Sequence, residues 1–368
     1  MEQNPKKRAP LSRKTKLIIV GSVAAVFIGF LIFVLTSSAT FTRQPDENLD
    51  FSRVIRDNVH PDVRVVDIAM LGAHNAFTDS INRHSDVCPH DDNMLTNPAV
   101  VAIAPGMLTR FLQCQKSDAT GLLMRGVRYF DIRLTYIDGG WYAHHSLISA
   151  PLSDYLVQII DFLAQNPGEI IIFHMQHIRL GSASFEDLWE FIASVRSSGY
   201  TLFDFVNFDP YNTPLGELTK GQATEHGAAA IIIARKPAYE GGFHYDHHAS
   251  MHSTWHNQIR TNALIADIQR EYEFLRQNPD VARDMFRVSQ AQTTPNFSGF
   301  GNIMYTLFSW SVLSHNASHN VTLLNHESFS DWLSLMPIFM VDFADSPRGN
   351  FNVYVMDKIN EFNRNLRG

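Results

Sequence analysis

The stretch "FLAQNPGEIIIFHM", residues 162–175, joins two kinds of secondary structure and indicates the fold class. Its first residues end a pattern of helical spacing that begins at residue 149, and Pro167 and Gly168 stop that helix at 166. The next residues, "EIIIFHM" (169–175), form a continuous apolar run directly after this turn. Such a run is typical of a strand buried on both faces, as in a parallel sheet.

The same alternation of strands and helices continues in both directions along the chain. Further strands are predicted at 65–71, 126–134, 141–145, 228–235, 285–291 and 338–343. Further helices are predicted at 184–199, 263–278 and 352–366, whereas the histidine-rich stretch 244–256 is predicted to be a loop. Strand–helix alternation over most of a chain favours an α/β fold, either a (β/α) barrel or a doubly wound sheet.

The N-terminal region is different in composition from the rest. Residues 1–16 are rich in Lys and Arg, and "LIIVGSVAAVFIGFLIFVLT" (17–36) contains no charged residue. About 20 apolar residues are enough to cross a bilayer, and basic residues favour the cytosolic side. We therefore predict a cytoplasmic basic tail, an uncleaved transmembrane signal anchor at 17–36, a stalk at 37–50 and a lumenal or extracellular domain at 51–368. The alternative to this single-pass type II membrane protein is a secreted protein, cleaved near "SSAT" (37–40).

Two further features agree with a lumenal or extracellular placement. Asn296, Asn316 and Asn320 each begin a glycosylation sequon, which predicts a glycoprotein. Cys88 and Cys114 are compatible with one disulfide or with two separate thiols. The formal net charge is −7, and because an acidic protein repels phosphate backbones we predict no nucleic-acid binding. The sequence does not predict an oligomeric state.

Polar side chains occur where several predicted strands end, and in a barrel this is the edge that carries catalytic groups. His74 follows the first strand, and Asp131 and Arg133 end the stretch "GVRYFDIRL" (126–134), where strand alternation puts both on one face. His145 ends the stretch "WYAHH" (141–145). We therefore expect two histidines, a carboxylate and an arginine to lie close together, although Asp131 and Arg133 would also make a simple structural ion pair.

This combination of groups suits the cleavage of a phosphodiester. One histidine can accept a proton from an attacking hydroxyl while the other donates a proton to the leaving oxygen. An arginine can neutralise the negative charge that grows on the five-coordinate phosphorus. A carboxylate can orient the hydroxyl or hold the arginine.

The motifs also carry a resemblance to a known family. "MLGAHNAFTDSI", "GVRYFDIRL", "YAHHSL", "FLAQNPGEIIIFHMQHI", "VSQAQTTP" and "FMVDFAD" occur in the order found in the X domain of phosphatidylinositol-specific phospholipases C. The chain from about residue 51 to its end resembles the eukaryotic X-domain-containing proteins, which lack accessory signalling domains. The resemblance implies a TIM-type (β/α) barrel and cleavage of the bond between glycerol and phosphate through an inositol cyclic phosphate.

The resemblance also implies catalytic roles for five residues. His74 would be the base that activates the inositol 2-hydroxyl, and His145 the acid that protonates the departing diacylglycerol oxygen. Arg133 would bind the phosphate, and Asp131 matches the acid two residues before that arginine. Asp342 would orient His74 through a hydrogen bond.

Four further residues are predicted to bind substrate. Asn75 follows the first histidine, and Arg235 lies where some family members contact the inositol phosphate. Trp255 lies in a segment similar to one at the substrate mouth of the family. In family members a small residue follows the catalytic histidine. Ser146 follows His145, so His145 is taken as the catalytic histidine and His144 as a supporting residue.

The predicted chemistry uses no metal and no cofactor. Calcium-dependent family members have an acid at the position of Arg133 and another near Gln176, and this sequence lacks both. A positive side chain two residues from Asp131 would also repel a divalent ion. The histidines of the stretch 244–256 match no standard zinc spacing.

The sequence thus predicts a membrane-anchored phosphoric diester hydrolase that cleaves phosphatidylinositol or a glycosylated derivative, such as a glycosylphosphatidylinositol lipid, without calcium. The alternative is an inactive barrel that binds a phospholipid head group or a protein partner. Two residues motivate that alternative. His174 stands where related proteins tend to have Asp, and Asn75 stands where metal-free members usually have Asp. A glycerophosphodiesterase-type site would need several carboxylates around a metal, which Arg133 disfavours.

Overall fold

The computed structural model describes residues 12–36, 49–91, 97–103, 105–296, 298–308 and 312–367. Its centre is one ten-stranded sheet. The strands are β1 (Met70–Ala73), β2 (Val127–Ile137), β3 (Gly140–His145), β4 (Leu147–Pro151), β5 (Ile170–Arg179), β6 (Ala229–Ala234), β7 (Tyr245–Asp246), β8 (Met251–Ser253), β9 (Phe286–Gln290) and β10 (Ile338–Val341).

Helices connect most of these strands. They are α1 (Arg13–Thr36), α2 (Val54–Asn58), α3 (Pro98–Ile103), α4 (Pro105–Leu112), α5 (Ala119–Met124), α6 (Leu152–Gln165), α7 (Phe185–Ser194), α8 (Lys220–Ala223), α9 (His247–Ser250), α10 (Thr261–Gln277), α11 (Phe300–Phe308), α12 (Val312–Leu324), α13 (Phe329–Leu335) and α14 (Phe351–Asn365).

The sheet has the strand order of an open barrel. Its main path runs β7-β6-β5-β2-β1-β10-β9-β8, and the neighbours on this path are parallel. The first and last strands of the chain, β1 and β10, therefore lie side by side, as they do in a barrel. Strands β7 and β8 end the path and do not pair with each other in the described sheet. The chain thus forms a half-barrel that is open on this side, with β3 and β4 attached to β2 as an antiparallel hairpin.

Strand β5 shows why these apolar runs form buried strands. Residues 170–175 are all buried. Ile171 and Phe173 belong to the core that the sheet forms with the helices, whereas Ile170 and Ile172 belong to the core inside the barrel. Because both faces are covered, the strand needs apolar residues at successive positions and not only at alternate ones. The prediction of a doubly buried parallel strand is confirmed here.

Two local predictions need correction. The first predicted strand, 65–71, is shorter in the structure, because Val65–Asp67 forms a 3-10 turn and β1 begins at Met70. The stretch 244–256 was predicted to be a loop and instead contains β7, α9 and β8. These elements have two to four residues each, which is too short for apolar periodicity to reveal them.

The prediction of a transmembrane helix in front of the barrel is wrong. None of the helices in the described part of the chain has the length and apolar character that a membrane span requires. The predicted segment lies in α1, which contacts α4 of the barrel. The single-pass type II placement and the membrane attachment through 17–36 are wrong for the same reason. Residues 1–11 and 37–48 of the predicted tail and stalk lie outside the described residues.

Candidate active site

His74 and Asp342 meet because their strands are neighbours. Ala73 ends β1 and pairs with Val341, which ends β10. The next residue of each strand therefore lies at the same edge of the sheet, and His74 Nδ1 is 2.6 Å from Asp342 Oδ1. A carboxylate can only accept from this nitrogen, so Nδ1 carries the proton. The Nε2 atom of the neutral ring is then free to accept a proton.

His145 is held in the same way by a different acceptor. Its Nδ1 lies 2.9 Å from the carbonyl oxygen of Leu112, which requires a proton on Nδ1 and leaves Nε2 available. The ring centroids of His74 and His145 are 6.5 Å apart, and the planes meet at 72°. Burial lowers the pKa of His145 well below its usual value, and the positive charge of Arg133 adds to this effect.

Arg133 brings a positive charge to the space between the two histidines. It lines the pocket that they share, and its Nε has no hydrogen-bond partner among the described residues. Asp131 lies on the Nε2 side of His74 but not in the pocket lining, with Oδ2 3.9 Å from His74 Nε2 and 3.3 Å from the backbone nitrogen of Asn75. Asp131 and Arg133 do not form an ion pair with each other in the described structure, so this carboxylate does not neutralise the guanidinium charge.

The pocket has a volume of about 210 Å³. It is lined by His74, Asn75, Phe111, Leu112, Cys114, Arg133, His145, Trp255, Thr293, Thr294, Pro295 and Asp342. Trp255 is 58% exposed, so it lies at the rim, where its Nε1 donates to Thr294 Oγ1 at 3.0 Å. The Asn75 amide nitrogen lies 3.4 Å from both ring nitrogens of His145, so it packs against that ring.

The structure leaves two of the predicted substrate-binding residues outside this pocket lining. His144 is buried and neither of its ring nitrogens has a hydrogen-bond partner in the described part of the chain. Burial lowers the pKa of His144 to about 4, so it is neutral near pH 7. Arg235 is exposed and donates from Nε to the carbonyl oxygen of Gln176 at 2.7 Å.

His174 also lies away from the pocket lining. Its Nδ1 is 2.7 Å from the hydroxyl of Tyr129, and its Nε2 is 2.8 Å from Nδ1 of His247. Burial lowers the pKa of His174 well below its usual value. Of the two residues that motivated an inactive barrel, His174 is therefore a neutral, hydrogen-bonded side chain outside the set that lines the pocket, whereas Asn75 lines it.

The sequence reasoning missed Asn316, which lies directly behind the candidate catalytic pair. Its Nδ2 donates to Asp342 Oδ2 at 2.7 Å. Asn316 and Asn320 are fully buried, so the described fold leaves no room for a glycan on either, and the glycoprotein prediction is not supported at these two sites. The signal that points to them is their spacing of four residues, which puts two amides on one face of α12.

Both cysteines are free, buried thiols. Cys88 Sγ donates to Thr135 Oγ1 at 3.6 Å, whereas Cys114 Sγ lies 3.5 Å from His145 Nδ1. Burial raises the pKa of the Cys114 thiol well above its usual value, so this group lines the pocket as a neutral thiol. The alternative of two separate thiols describes this structure.

Only one group of described residues has the geometry to hold a metal ion. His74, Cys114 and Asp342 each offer one ligand atom, and these atoms lie within 4.8 Å of one another. This mixed set does not fit calcium, which takes about six to eight oxygen ligands. Both carboxylate oxygens of Asp342 already accept hydrogen bonds, and Arg133 adds a positive charge to the same pocket. The residues therefore do not fit the calcium ion of the signalling phospholipases.

Comparison with known proteins agrees with the resemblance seen in the sequence. No family model matches the chain. PI-PLC X domain-containing protein 3 of Bos taurus is 27% identical over 134 residues, which are 35% of this chain and 41% of that protein. PI-PLC X domain-containing protein 1 of Homo sapiens is 23% identical over 212 residues, 55% of this chain and 62% of that protein. The chain thus spans from two fifths to less than two thirds of the length of these curated relatives.

Solved structures match over more of the chain. The phosphatidylinositol-specific phospholipase C of Listeria monocytogenes has a TM-score of 0.57 at 16% identity, and covers 83% of this chain and 98% of its own. The S. aureus enzyme has a TM-score of 0.54 at 13% identity, and covers 83% and 95%. The resemblance to the PI-PLC X domain-containing proteins is therefore confirmed, and the fold matches the barrel of phosphatidylinositol-specific phospholipases C.

Proposed function

We propose that this chain is a phosphoric diester hydrolase that cleaves phosphatidylinositol or a glycosylated derivative by two-histidine acid–base catalysis without calcium. The observation that carries the proposal is the pairing of His74 and His145 in one pocket. Each ring has its Nδ1 bound to an acceptor, Asp342 Oδ1 in one case and the Leu112 carbonyl in the other. Each therefore offers Nε2 for proton transfer, and Arg133 lines the pocket between them.

The first step is the attack of the inositol 2-hydroxyl on phosphorus. His74 Nε2 takes the proton of that hydroxyl, while Asp342 keeps the Nδ1 proton in place and stabilises the imidazolium that forms. Asp131 Oδ2 lies 3.9 Å from the same Nε2 and helps to orient the hydroxyl. The guanidinium of Arg133 faces the extra negative charge on the five-coordinate phosphorus.

The second step breaks the bond between phosphorus and the glycerol oxygen. His145 Nε2 gives its proton to that oxygen, so diacylglycerol leaves as a neutral alcohol and the inositol keeps a cyclic phosphate. Burial lowers the pKa of His145, which makes its protonated form a strong acid. The negative charge of a bound phosphodiester favours that protonated form.

The size and lining of the pocket support a lipid head group as the substrate. A volume of about 210 Å³ suits a polar head group and leaves the acyl chains outside. Trp255 at the rim offers an aromatic surface to the part of the lipid next to the head group. The Listeria monocytogenes protein that shares this fold is a phosphatidylinositol-specific phospholipase C, and this supports an inositol head group for the substrate of this chain.

The test is phosphorus NMR of mixed micelles incubated with the full chain in the presence of a chelator. We expect a cyclic inositol phosphate from phosphatidylinositol, and from a glycosylphosphatidylinositol lipid if the pocket accepts a substituted ring. Phosphatidylcholine is the control and should give no product. If phosphatidylinositol micelles bind the protein without any product, the barrel is a head-group binding module and the proposal fails.

A further inference from the structure

The Asn316 side chain is fully buried, and both the nitrogen and the oxygen of its carboxamide make hydrogen bonds. Its Nδ2 donates to Asp342 Oδ2 at 2.7 Å. Its Oδ1 accepts from the backbone nitrogen of Thr293 at 3.0 Å and from Thr293 Oγ1 at 2.7 Å. The carboxamide therefore links the pocket wall at Thr293 to the carboxylate behind His74.

These contacts fix which way the carboxamide points. The backbone nitrogen of Thr293 can only donate, so it requires the oxygen of Asn316 on its side. The amide nitrogen must then face Asp342. With His74 on Oδ1 and Asn316 on Oδ2, the Asp342 carboxylate has a donor on each oxygen and cannot rotate without losing one.

We propose that Asn316 is a positioning residue that holds Asp342 in the orientation that keeps the proton of His74 on Nδ1, an inference whose catalytic consequence rests on the proposed function. Without this amide, Oδ2 of a buried carboxylate loses its donor. The carboxylate then turns toward other donors or takes up a proton. Rotation moves the acceptor away from His74 Nδ1 and protonation makes it weaker, so the reactive tautomer of His74 is less well selected in either case.

The sequence provides a matched set of variants. Asn316 begins the sequon Asn316-Ala317-Ser318, and Ser318 is exposed. Ser318→Ala removes the sequon and leaves the Asn316 side chain intact, whereas Asn316→Ala and Asn316→Ser remove the bond to Asp342. Asn320→Ala controls for the loss of a buried amide, because Asn320 donates to the backbone oxygen of Asp342 and not to its carboxylate.

Two readouts on the full chain test the proposal. The first is the far-downfield proton resonance expected for a short bond from His74 Nδ1 to a carboxylate, assigned by its loss in His74→Asn. The second is the division of effect between kcat and KM on phosphatidylinositol micelles. We expect Asn316→Ala and Asn316→Ser to lose the resonance and to lower kcat about tenfold with little change in KM.

The controls separate the alternatives. Ser318→Ala should keep the resonance and kcat, and Asn320→Ala should keep the resonance even where it lowers the melting temperature. A resonance and a kcat that survive in both Asn316 variants would overturn the proposal, as would an equal loss of kcat in Ser318→Ala. If the wild-type chain has no activity but its resonance disappears in the Asn316 variants, the proposed function fails and the positioning of Asp342 stands.

Discussion

His74 Nδ1 and Asp342 Oδ1 lie 2.6 Å apart, at the ends of two strands that are far apart along the chain and adjacent in the sheet. This distance is short for a hydrogen bond from nitrogen to oxygen, as is typical when one partner is charged. Both groups are little exposed, with side-chain exposures of 16% and 2%. The pair therefore has a defined geometry before any substrate binds.

Replacing Asp342 with Asn tests the role of this bond. An amide nitrogen can donate to His74 Nδ1, which moves the ring proton to Nε2 and leaves no base for the 2-hydroxyl. We expect kcat on phosphatidylinositol to fall on the order of 10²-fold or more, with binding retained. The matched control is Asp345→Asn, a buried carboxylate three residues away that binds the backbone nitrogen of Lys116 outside the pocket. Equal losses in both variants would point to a general structural defect.

Replacing Arg133 with Gln removes the positive charge that lines the pocket. Because the charge on phosphorus grows toward the transition state, the loss should appear mainly in kcat, on the order of 10²- to 10³-fold. Arg179→Gln is the control, since Arg179 lies on the neighbouring strand with Asp91 3.8 Å away and does not line the pocket. Unchanged turnover in Arg133→Gln would remove the guanidinium from the mechanism.

The lowered pKa of His145 predicts a particular pH dependence. Burial holds this pKa well below the ordinary value of 6.5, and a general acid must be protonated. The parameter kcat/KM reports the free protein, so it should fall as pH rises through a value on the acidic side of 6.5. A bound phosphodiester raises the pKa of His145, so the corresponding fall in kcat should occur at higher pH. Steady-state rates measured across pH give the pH at which each parameter falls. A fall of kcat and of kcat/KM at the same pH would contradict the prediction.

Buried histidines should also make the fold sensitive to acid. Burial lowers the pKa of His144, His177 and His247 from 6.5 to about 4. Between these two values the unfolded chain binds more protons than the folded one, so the free energy of unfolding falls as pH drops through this window. Urea unfolding at several pH values measures the slope.

The variant His144→Leu isolates one contribution to that slope. Neither ring nitrogen of His144 has a hydrogen-bond partner in the described structure, so an apolar side chain loses no bond there. We expect a shallower dependence of unfolding free energy on pH, and a more stable protein than the wild type at acidic pH. A slope identical to that of the wild type would show that folding does not shift the pKa of His144.

The central strands are predicted correctly because the residues of each strand themselves carry the signal for its burial. Strands β2, β5 and β6 are covered on both faces, and their continuous apolar runs report this directly. The open side of the barrel is different. Strands β7 and β8 have two and three residues, and whether they pair depends on the whole sheet and not on their own composition.

The sequence predicts those residues of the candidate site that lie at the ends of strands, and it does not predict the others. His74, Arg133 and His145 follow from their positions at the ends of strands, and the structure brings them to one pocket. His144 does not join them, because successive residues of a strand point to opposite faces. Asn316 was missed because its sequon suggested a surface asparagine, whereas tertiary packing buries it against Asp342.

The most direct test of the two-histidine account is the release of inositol cyclic phosphate from phosphatidylinositol micelles by the full chain, its His74→Asn variant and its His145→Asn variant, in the presence of chelator. The account predicts product from the wild type, and a loss on the order of 10²-fold or more in each variant while micelle binding is kept. Wild-type turnover that survives in either variant, or that disappears when calcium is chelated, would contradict it.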